Sequence, residues 1–131
     1  IGSNIFNGCI SLVLSDDLKI INKELFSGCL SLKQITIPSS ITKIENNAFC
    51  DCYSLKQLTI PSSVTSIGSG AFRGCISLEQ IIIPSSVVSI NFSTFRGCSS
   101  LKQISISSAM TIIEKSVFED IINYDKLILQ I

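Results

Sequence analysis

The stretch LKQLTIPSSVTSIGSGAFRGC, from Leu55 to Cys75, contains the pattern that decides the fold. Its opening Leu55-x-x-Leu58-x-Ile60 alternates apolar and polar positions, which is typical of a short β-strand. Pro61 lacks the amide that would continue a strand ladder, so the strand is predicted to end there. A second short extended piece follows at residues 64–67. The Phe-x-Gly-Cys segment at its end predicts a tight corner, because glycine tolerates left-handed backbone, as does the aspartate that replaces it at Asp51 and Asp120.

This pattern recurs along the whole chain at a constant interval. The phenylalanines that mark it are Phe26, Phe49, Phe72, Phe95 and Phe118, and the cysteines that follow three positions after a Phe are Cys9, Cys29, Cys52, Cys75 and Cys98. The interval from Phe6 to Phe26 is three positions shorter than the others, so the first repeat is incomplete. The few apolar residues of one repeat cannot form a core alone, whereas stacked repeats can share one. The sequence therefore predicts a solenoid, with neighbouring parallel strands about 4.8 Å apart.

The repeat resembles the BspA-like, or Treponema pallidum-type, leucine-rich repeat family. The resemblance rests on L-x-x-I-x-I-P-x-x-V at residues 78–87 and on I-x-x-x-A-F-x-x-C at residues 67–75. It implies a mainly β fold: a right-handed leucine-rich-repeat solenoid of about six 23-residue coils, with parallel strands on the concave face and little helix. Residues 1–131 are read as a single array. Because the chain starts and stops inside repeats, we expect it to be a piece of a longer protein.

Composition argues against several classes of function. Ten basic and ten acidic residues give a net charge of zero, so neither a nucleic-acid partner nor a polybasic membrane surface is predicted. The chain has no histidine, which removes catalytic triads and histidine-ligated metals. No apolar run is long enough to insert into a membrane. No phosphate-cradling glycine loop or catalytic insertion interrupts the repeat. We therefore predict a protein that is not an enzyme and needs no cofactor.

The resemblance also implies a class of function. Members of the family are largely cell-surface or secreted proteins associated with adhesion to host cells and matrix proteins, and some relatives are intracellular. The first hypothesis is therefore a cell-surface or secreted adhesin-like module that binds a protein ligand, such as a host matrix or cell-surface protein, through its concave face. The alternative is an intracellular, cytoplasmic interaction scaffold, which six cysteines without evident partners favour.

The period assigns twelve residues to a recognition surface, since residues between the inward strand positions must face outward. They form three columns: Gln34, Gln57, Gln80 and Gln103; Thr36, Thr59, Ile82 and Ser105; and Lys33, Lys56, Glu79 and Lys102. The competing interpretation is that the stacked glutamine amides only bond to one another. A further apolar column after the cysteine corner is expected to be the edge of the core rather than an exposed stripe. Its members are Ile10, Leu30, Tyr53, Ile76, Ser99 and Ile122.

The cysteine column is predicted to be a buried row of thiols, because parallel side chains at regular spacing suit neither disulfides nor tetrahedral zinc. Cys50 takes a position occupied elsewhere by surface residues, so we expect it to be exposed. Arg73, one repeat later, would favour a reactive thiolate, against the simpler interpretation of a neutral substitution. Finally, strand edges at the chain ends pair readily, so we expect edge-to-edge self-association through Leu127 to Ile131 or through the first coil.

Overall fold

The computed structural model describes residues 6, 8–91 and 93–106, together with the backbone of two strands at 112–113 and 128–130. Within these residues the chain forms eleven short strands and no α-helix. The strands are β1 (Ser11–Val13), β2 (Ile20–Ile21), β3 (Gln34–Thr36), β4 (Lys43–Ile44), β5 (Gln57–Thr59), β6 (Ser66–Ile67), β7 (Gln80–Ile82), β8 (Ser89–Ile90), β9 (Gln103–Ser105), β10 (Ile112–Ile113) and β11 (Ile128–Gln130).

The odd-numbered and even-numbered strands form two separate series of parallel strands, one on each side of the coil. Consecutive strands pair one repeat apart, as Gln57 with Gln80 and Gln80 with Gln103. The last strand departs slightly from this period, because the partner of Gln103 is Ile128, which lies two positions beyond one full repeat. The predicted fold class is therefore confirmed. The described residues make about four turns rather than six, since much of the terminal coils lies outside them.

The corner of each coil is held to its neighbours in three ways. Phenylalanine rings stack in a column, with centroids 5.3 Å apart between Phe26 and Phe49 and 5.6 Å between Phe49 and Phe72. The amide of each phenylalanine donates to the next coil, as from Phe49 to the carbonyl of Ala71 at 2.8 Å. The buried thiol of Cys75 donates back to the carbonyl of Phe49 at 3.2 Å. The rings of Phe26, Phe49, Phe72 and Phe95 are fully buried, which contributes about 1.5–3 kcal/mol for each ring, and ring stacking adds about 0.5–1.5 kcal/mol.

The residue before each corner cysteine adopts left-handed backbone. The torsion φ is +75° at Gly28 and Gly74 and +79° at Gly97, and Asp51 at the same position has φ +59°. This confirms the sequence interpretation of the Gly or Asp position. A side chain at Gly74 would also collide with the carboxyl group of Asp51, so the corner leaves no room there.

The first coil is out of phase with the sequence assignment. Ser11 pairs with Gln34 and Leu12 with Ile35, and the amide of Lys33 donates to the carbonyl of Ile10. The three missing positions are therefore lost between Cys9 and the strand. As a result, Ile10 stacks on Lys33. The prediction that Ile10 belongs to the column of Leu30 and Tyr53 is therefore wrong. Leu12 correspondingly takes the place of Ile35 rather than of Leu32.

Both strand series are interrupted, and at different coil interfaces. The odd-numbered series is split between β3 and β5, while the even-numbered series is split between β6 and β8. From Phe6 to Phe95, every interface between successive coils keeps the contact between phenylalanine rings and at least one strand pairing. We call the first interruption the β3–β5 junction. There the amide of Lys56 does not reach the carbonyl of Lys33, although the amides of Lys33, Glu79 and Lys102 all bond to the preceding coil.

Amide hydrogen exchange tests the β3–β5 junction directly. We expect the Lys56 amide to exchange faster than those of Lys33, Glu79 and Lys102, which occupy the same position and donate at 2.8–2.9 Å. Residue-resolved exchange measured by NMR compares these four amides in one experiment. Equal protection of all four would contradict an open junction.

Thr94 is a buried polar group in an apolar position. It replaces the corner residues Ala48 and Ala71, is fully buried, and its hydroxyl has no hydrogen-bond partner. A buried polar group without a partner destabilises the folded state by about 1–3 kcal/mol. Thr94 thus lowers the stability of the corner that contains Phe95.

We expect Thr94→Val to raise the free energy of unfolding by about 1–3 kcal/mol, because it removes the hydroxyl and keeps the branched shape. Urea denaturation measures the change. The same substitution at exposed Thr59 is the control and should alter stability by less than about 0.5 kcal/mol. A loss of stability in Thr94→Val would show that the hydroxyl is satisfied.

Candidate recognition surface

The odd-numbered strands present the predicted columns to solvent. In β3 and β5 the central residue is buried while its two neighbours are exposed. We call the outward surface of β1, β3, β5, β7 and β9 the strand face. Of the twelve predicted residues, eight are exposed: Lys33, Gln34, Thr36, Lys56, Gln57, Thr59, Ile82 and Lys102. Four are half-buried on the same face: Glu79, Gln80, Gln103 and Ser105. The structure thus places all twelve side chains on one surface.

The glutamine column does not form a self-satisfied ladder. Gln57, Gln80 and Gln103 lie in register on β5, β7 and β9. In the part of the chain that the structure describes, no side-chain hydrogen bond joins one glutamine of the column to another. In this structure the glutamine amides therefore do not satisfy each other. Their donors and acceptors are left available to a ligand.

The outer row of the strand face carries an uneven distribution of charge. The register shift makes this row Ile10, Lys33, Lys56, Glu79 and Lys102. Opposite charges stack across the β5–β7 and β7–β9 interfaces, where the strands pair. Two lysines stack across the β3–β5 junction, where the strands do not pair. Like charges placed opposite each other across neighbouring strands are destabilising, which is consistent with the open ladder at this point.

Two shallow grooves lie at the β3–β5 junction. The first has a volume of about 470 Å³ and is lined by residues 34–37, 57–59 and 61. The second, of about 460 Å³, is lined by Ile10, Lys33, Gln34, Lys56 and Gln57. Nothing in the sequence indicated a groove here, because the repeat itself is unbroken at this point. Ile10, 59% exposed, was not among the twelve predicted residues, and only the register shift reveals its position.

The apolar column after the corner is exposed, contrary to prediction. Leu30, Tyr53 and Ile76 are 44%, 42% and 44% exposed, and Ser99 is half-buried. Ile122 lies outside the described residues. The error has a physical cause: the corner has already turned at the cysteine, so the next side chain points away from the core. Periodicity identifies which residues stack but not the direction in which a turn residue points.

Four members of the predicted cysteine column are buried, whereas Cys9 in the first coil is half-buried. The buried members also make hydrogen bonds that the sequence did not indicate. Cys29, Cys52, Cys75 and Cys98 are fully buried, and none of the six cysteines forms a disulfide. The thiols of Cys52 and Cys98 donate to the carbonyls of Phe26 and Phe72, each at 3.1 Å. Burial raises the pKa of both thiols to about 12. These groups therefore stay protonated and serve as donors inside the core.

Cys50 does not have the environment of a reactive thiol. It is half-buried rather than exposed. Burial and the neighbouring Asp51 carboxylate raise its pKa, and the opposing effect of Arg73 is smaller. The sequence argument considered the cation alone and overlooked the adjacent anion. Because the thiolate is disfavoured, the hypothesis of an activated thiol is wrong.

No cluster of three or more potential metal ligands occurs among the described residues. The same residues include no helix with the length and apolar character needed to cross a bilayer. The strand ends Leu127 to Ile131 and the start of the first coil lie largely outside the described side chains. Edge-to-edge self-association therefore stays a prediction.

Comparison with known proteins identifies the family. A profile of the BspA type leucine-rich repeat region matches residues 1–124 in six copies. The chain belongs to the BspA-type leucine-rich repeat family. This confirms the resemblance drawn from the repeat. No match is found among proteins of curated function.

Solved structures of bacterial leucine-rich repeat proteins share the fold. A leucine-rich repeat protein of Eubacterium ventriosum is 29% identical, with a TM-score of 0.83. The match covers 93% of this chain and 32% of the Eubacterium ventriosum chain. The T. pallidum leucine-rich repeat protein is 27% identical, with a TM-score of 0.59, and the match covers 79% of this chain and 61% of the T. pallidum chain. One from Bacteroides ovatus is 31% identical with a TM-score of 0.55, covering 81% and 34%. This BspA-type chain thus spans less than two thirds of each.

The raised thiol pKa values predict a loss of stability in alkali. In the unfolded chain thiols ionise near pH 9, whereas folded Cys52 and Cys98 hold their protons to about pH 12. Between these values the unfolded state binds fewer protons, so the free energy of unfolding falls as pH rises. The full stabilising contribution of each thiol is present below pH 9. At pH 10 the ionisation of each thiol in the unfolded chain should have lowered the free energy of unfolding by about 1.4 kcal/mol.

Urea denaturation under reducing conditions, at neutral pH and at pH 10, measures this loss. The control is Cys98→Ala, in which the difference between the two pH values should shrink by one thiol's share, about 1.4 kcal/mol. An identical pH dependence in the variant and the parent chain would contradict the assignment.

Proposed function

We propose that the chain is a non-enzymatic protein-recognition module that binds a protein ligand through its strand face. The supporting observation is the set of twelve outward side chains at fixed register, whose glutamine amides form no bonds among themselves. Leucine-rich repeat domains generally bind proteins, and the family is generally a non-enzymatic repeat scaffold. An extended surface with one residue of each column per coil suits an elongated protein ligand.

We propose further that the parent protein is displayed at the cell surface or secreted and acts as an adhesin, with a host matrix or cell-surface protein as its ligand. Membership of the BspA-type family supports this proposal through the adhesion role that the resemblance implies. The intracellular scaffold is the alternative, and the unoxidised cysteines were its support. The burial of four of them weakens that support, because buried protonated thiols are inert in either compartment.

Antibody labelling of the source cells separates the two locations. Staining of intact cells would support the adhesin. Staining that appears only after permeabilisation would contradict it and favour the scaffold. The same antibody, raised against this segment, serves both samples.

Substitution of Gln57, Gln80 and Ile82 by glutamate should weaken binding to the protein ligand roughly tenfold or more, because it places three carboxylates on the strand face. Binding is measured by interferometry on a panel of purified extracellular-matrix proteins. Two of these side chains are exposed and the third is half-buried, so the fold should be kept. Carboxylates at positions 57 and 80 would lie opposite each other on paired strands and lower the stability somewhat, so binding is compared at a temperature at which thermal unfolding shows both chains to be folded. Glutamate at exposed Thr42, Thr65 and Val88, outside the strand face, is the control. Unchanged affinity in the first variant would move the site off the strand face.

A further inference from the structure

The β3–β5 junction combines three features that occur together at no other described interface of the odd-numbered series. The strands are not hydrogen-bonded, so the carbonyl of Lys33 and the amide of Lys56 do not bond each other. Lys33 and Lys56 are exposed and adjacent in the outer row. Exposed Ile10 precedes them in the same row, and all three side chains line one groove of about 460 Å³.

Lys33 and Lys56 are cations without an ion pair among the described residues. In the described chain neither ammonium group forms an ion pair with a carboxylate. Glu79 follows Lys56 in the row but also precedes Lys102, so it lies between two cations. Lys33, in contrast, has only Ile10 and Lys56 as row neighbours. A carboxylate placed between Lys33 and Lys56 would relieve their mutual repulsion and accept charge-assisted hydrogen bonds from both.

We propose that this junction binds an extended acidic peptide segment that places a carboxylate between Lys33 and Lys56 and an aliphatic side chain on Ile10. This inference rests on the proposed protein-recognition function and gives it a ligand chemistry. Glu79 limits the site on the other side, because it repels a second acidic residue one coil further along. Gln34 and Gln57, which line both grooves, offer amide groups to the peptide backbone.

The spacing of the row specifies the motif. The midpoint between Lys33 and Lys56 lies one and a half coils from Ile10, which is at least about 7 Å, since the unpaired β3–β5 junction is no narrower than paired parallel strands. Two residues of an extended peptide cover about 6.6 Å. The segment therefore runs along the row, across the strands, with an aliphatic residue and an acidic residue separated by one position. A peptide rather than a simple polyanion is favoured, because the apolar side chain of Ile10 packs favourably against an aliphatic group and not against a charged one.

Fluorescence anisotropy with short labelled peptides tests the proposal. The probe contains Leu-Ser-Glu within a serine and glycine context, and the matched probes replace Glu by Gln or Leu by Ser. We expect the parent probe to bind, and more weakly at high salt. Both matched probes should bind roughly tenfold more weakly. Binding should also slow exchange of the Lys56 amide.

Variants of the protein locate the site. The double substitution Lys33→Gln and Lys56→Gln should weaken binding of the parent probe roughly tenfold, and the corresponding double arginine variant should retain it. Lys102→Gln is the matched control, because it removes the same charge from the same row at a closed interface, and affinity should stay within about twofold. Thermal unfolding verifies that each variant is folded.

Several outcomes would overturn the proposal. These are no binding of the Leu-Ser-Glu probe, an equal loss in Lys102→Gln, or equal binding of the probe that lacks Leu. Equally tight binding of a sulfated polysaccharide would also overturn it, by showing a general anion patch. If the probe fails while a matrix protein binds and the glutamate variants of β5 and β7 abolish that binding, the proposed function stands and this inference alone fails.

Discussion

The structure depends on the corner at which each coil meets the next. A phenylalanine ring stacks on the ring of the neighbouring coil, its amide donates forward, and its carbonyl accepts the thiol of the following coil's cysteine. This set of contacts repeats without interruption from Phe26 to Phe95, whereas both strand series are broken once. The corner thus maintains the spacing of the coils where strand pairing does not. Cysteine suits this position because it is small, apolar and still a hydrogen-bond donor.

Because the corners hold the coils at a constant spacing, the position of a residue within its repeat determines where its side chain lies on the surface. Each coil contributes one residue to each column, so a substitution changes one point of the strand face without altering the others. The outer row illustrates the result, since Lys33, Lys56, Glu79 and Lys102 follow one another at constant spacing. Opposite charges adjoin where β5, β7 and β9 pair, and two lysines adjoin where β3 and β5 do not. The charge pattern available to a ligand therefore changes at the same place as the strand pairing.

Much of this arrangement could be predicted from the sequence, because a constant period specifies which side chains stack. It predicted the buried phenylalanine and cysteine columns, the left-handed Gly or Asp position and the outward direction of the twelve strand-face residues. It misplaced Ile10, since the interval between Phe6 and Phe26 shows that three positions are missing but not where. It also failed for Leu30, Tyr53 and Ile76, whose direction depends on the turn geometry, and for Cys50, where Asp51 and burial outweigh Arg73. The β3–β5 junction was not predicted, because the period shows that Lys33 and Lys56 are neighbours but does not show whether the strands beneath them pair.

The two interruptions of strand pairing lie on different sides of the coil and at successive interfaces. At each of them the phenylalanine corner persists while one strand series lacks its pairing. Where strand pairing is absent, fewer backbone contacts oppose a change in the angle between two coils. A ligand that lies along the strand face across the β3–β5 junction would bridge two coils that strand pairing does not join, and would thereby hold them at one angle.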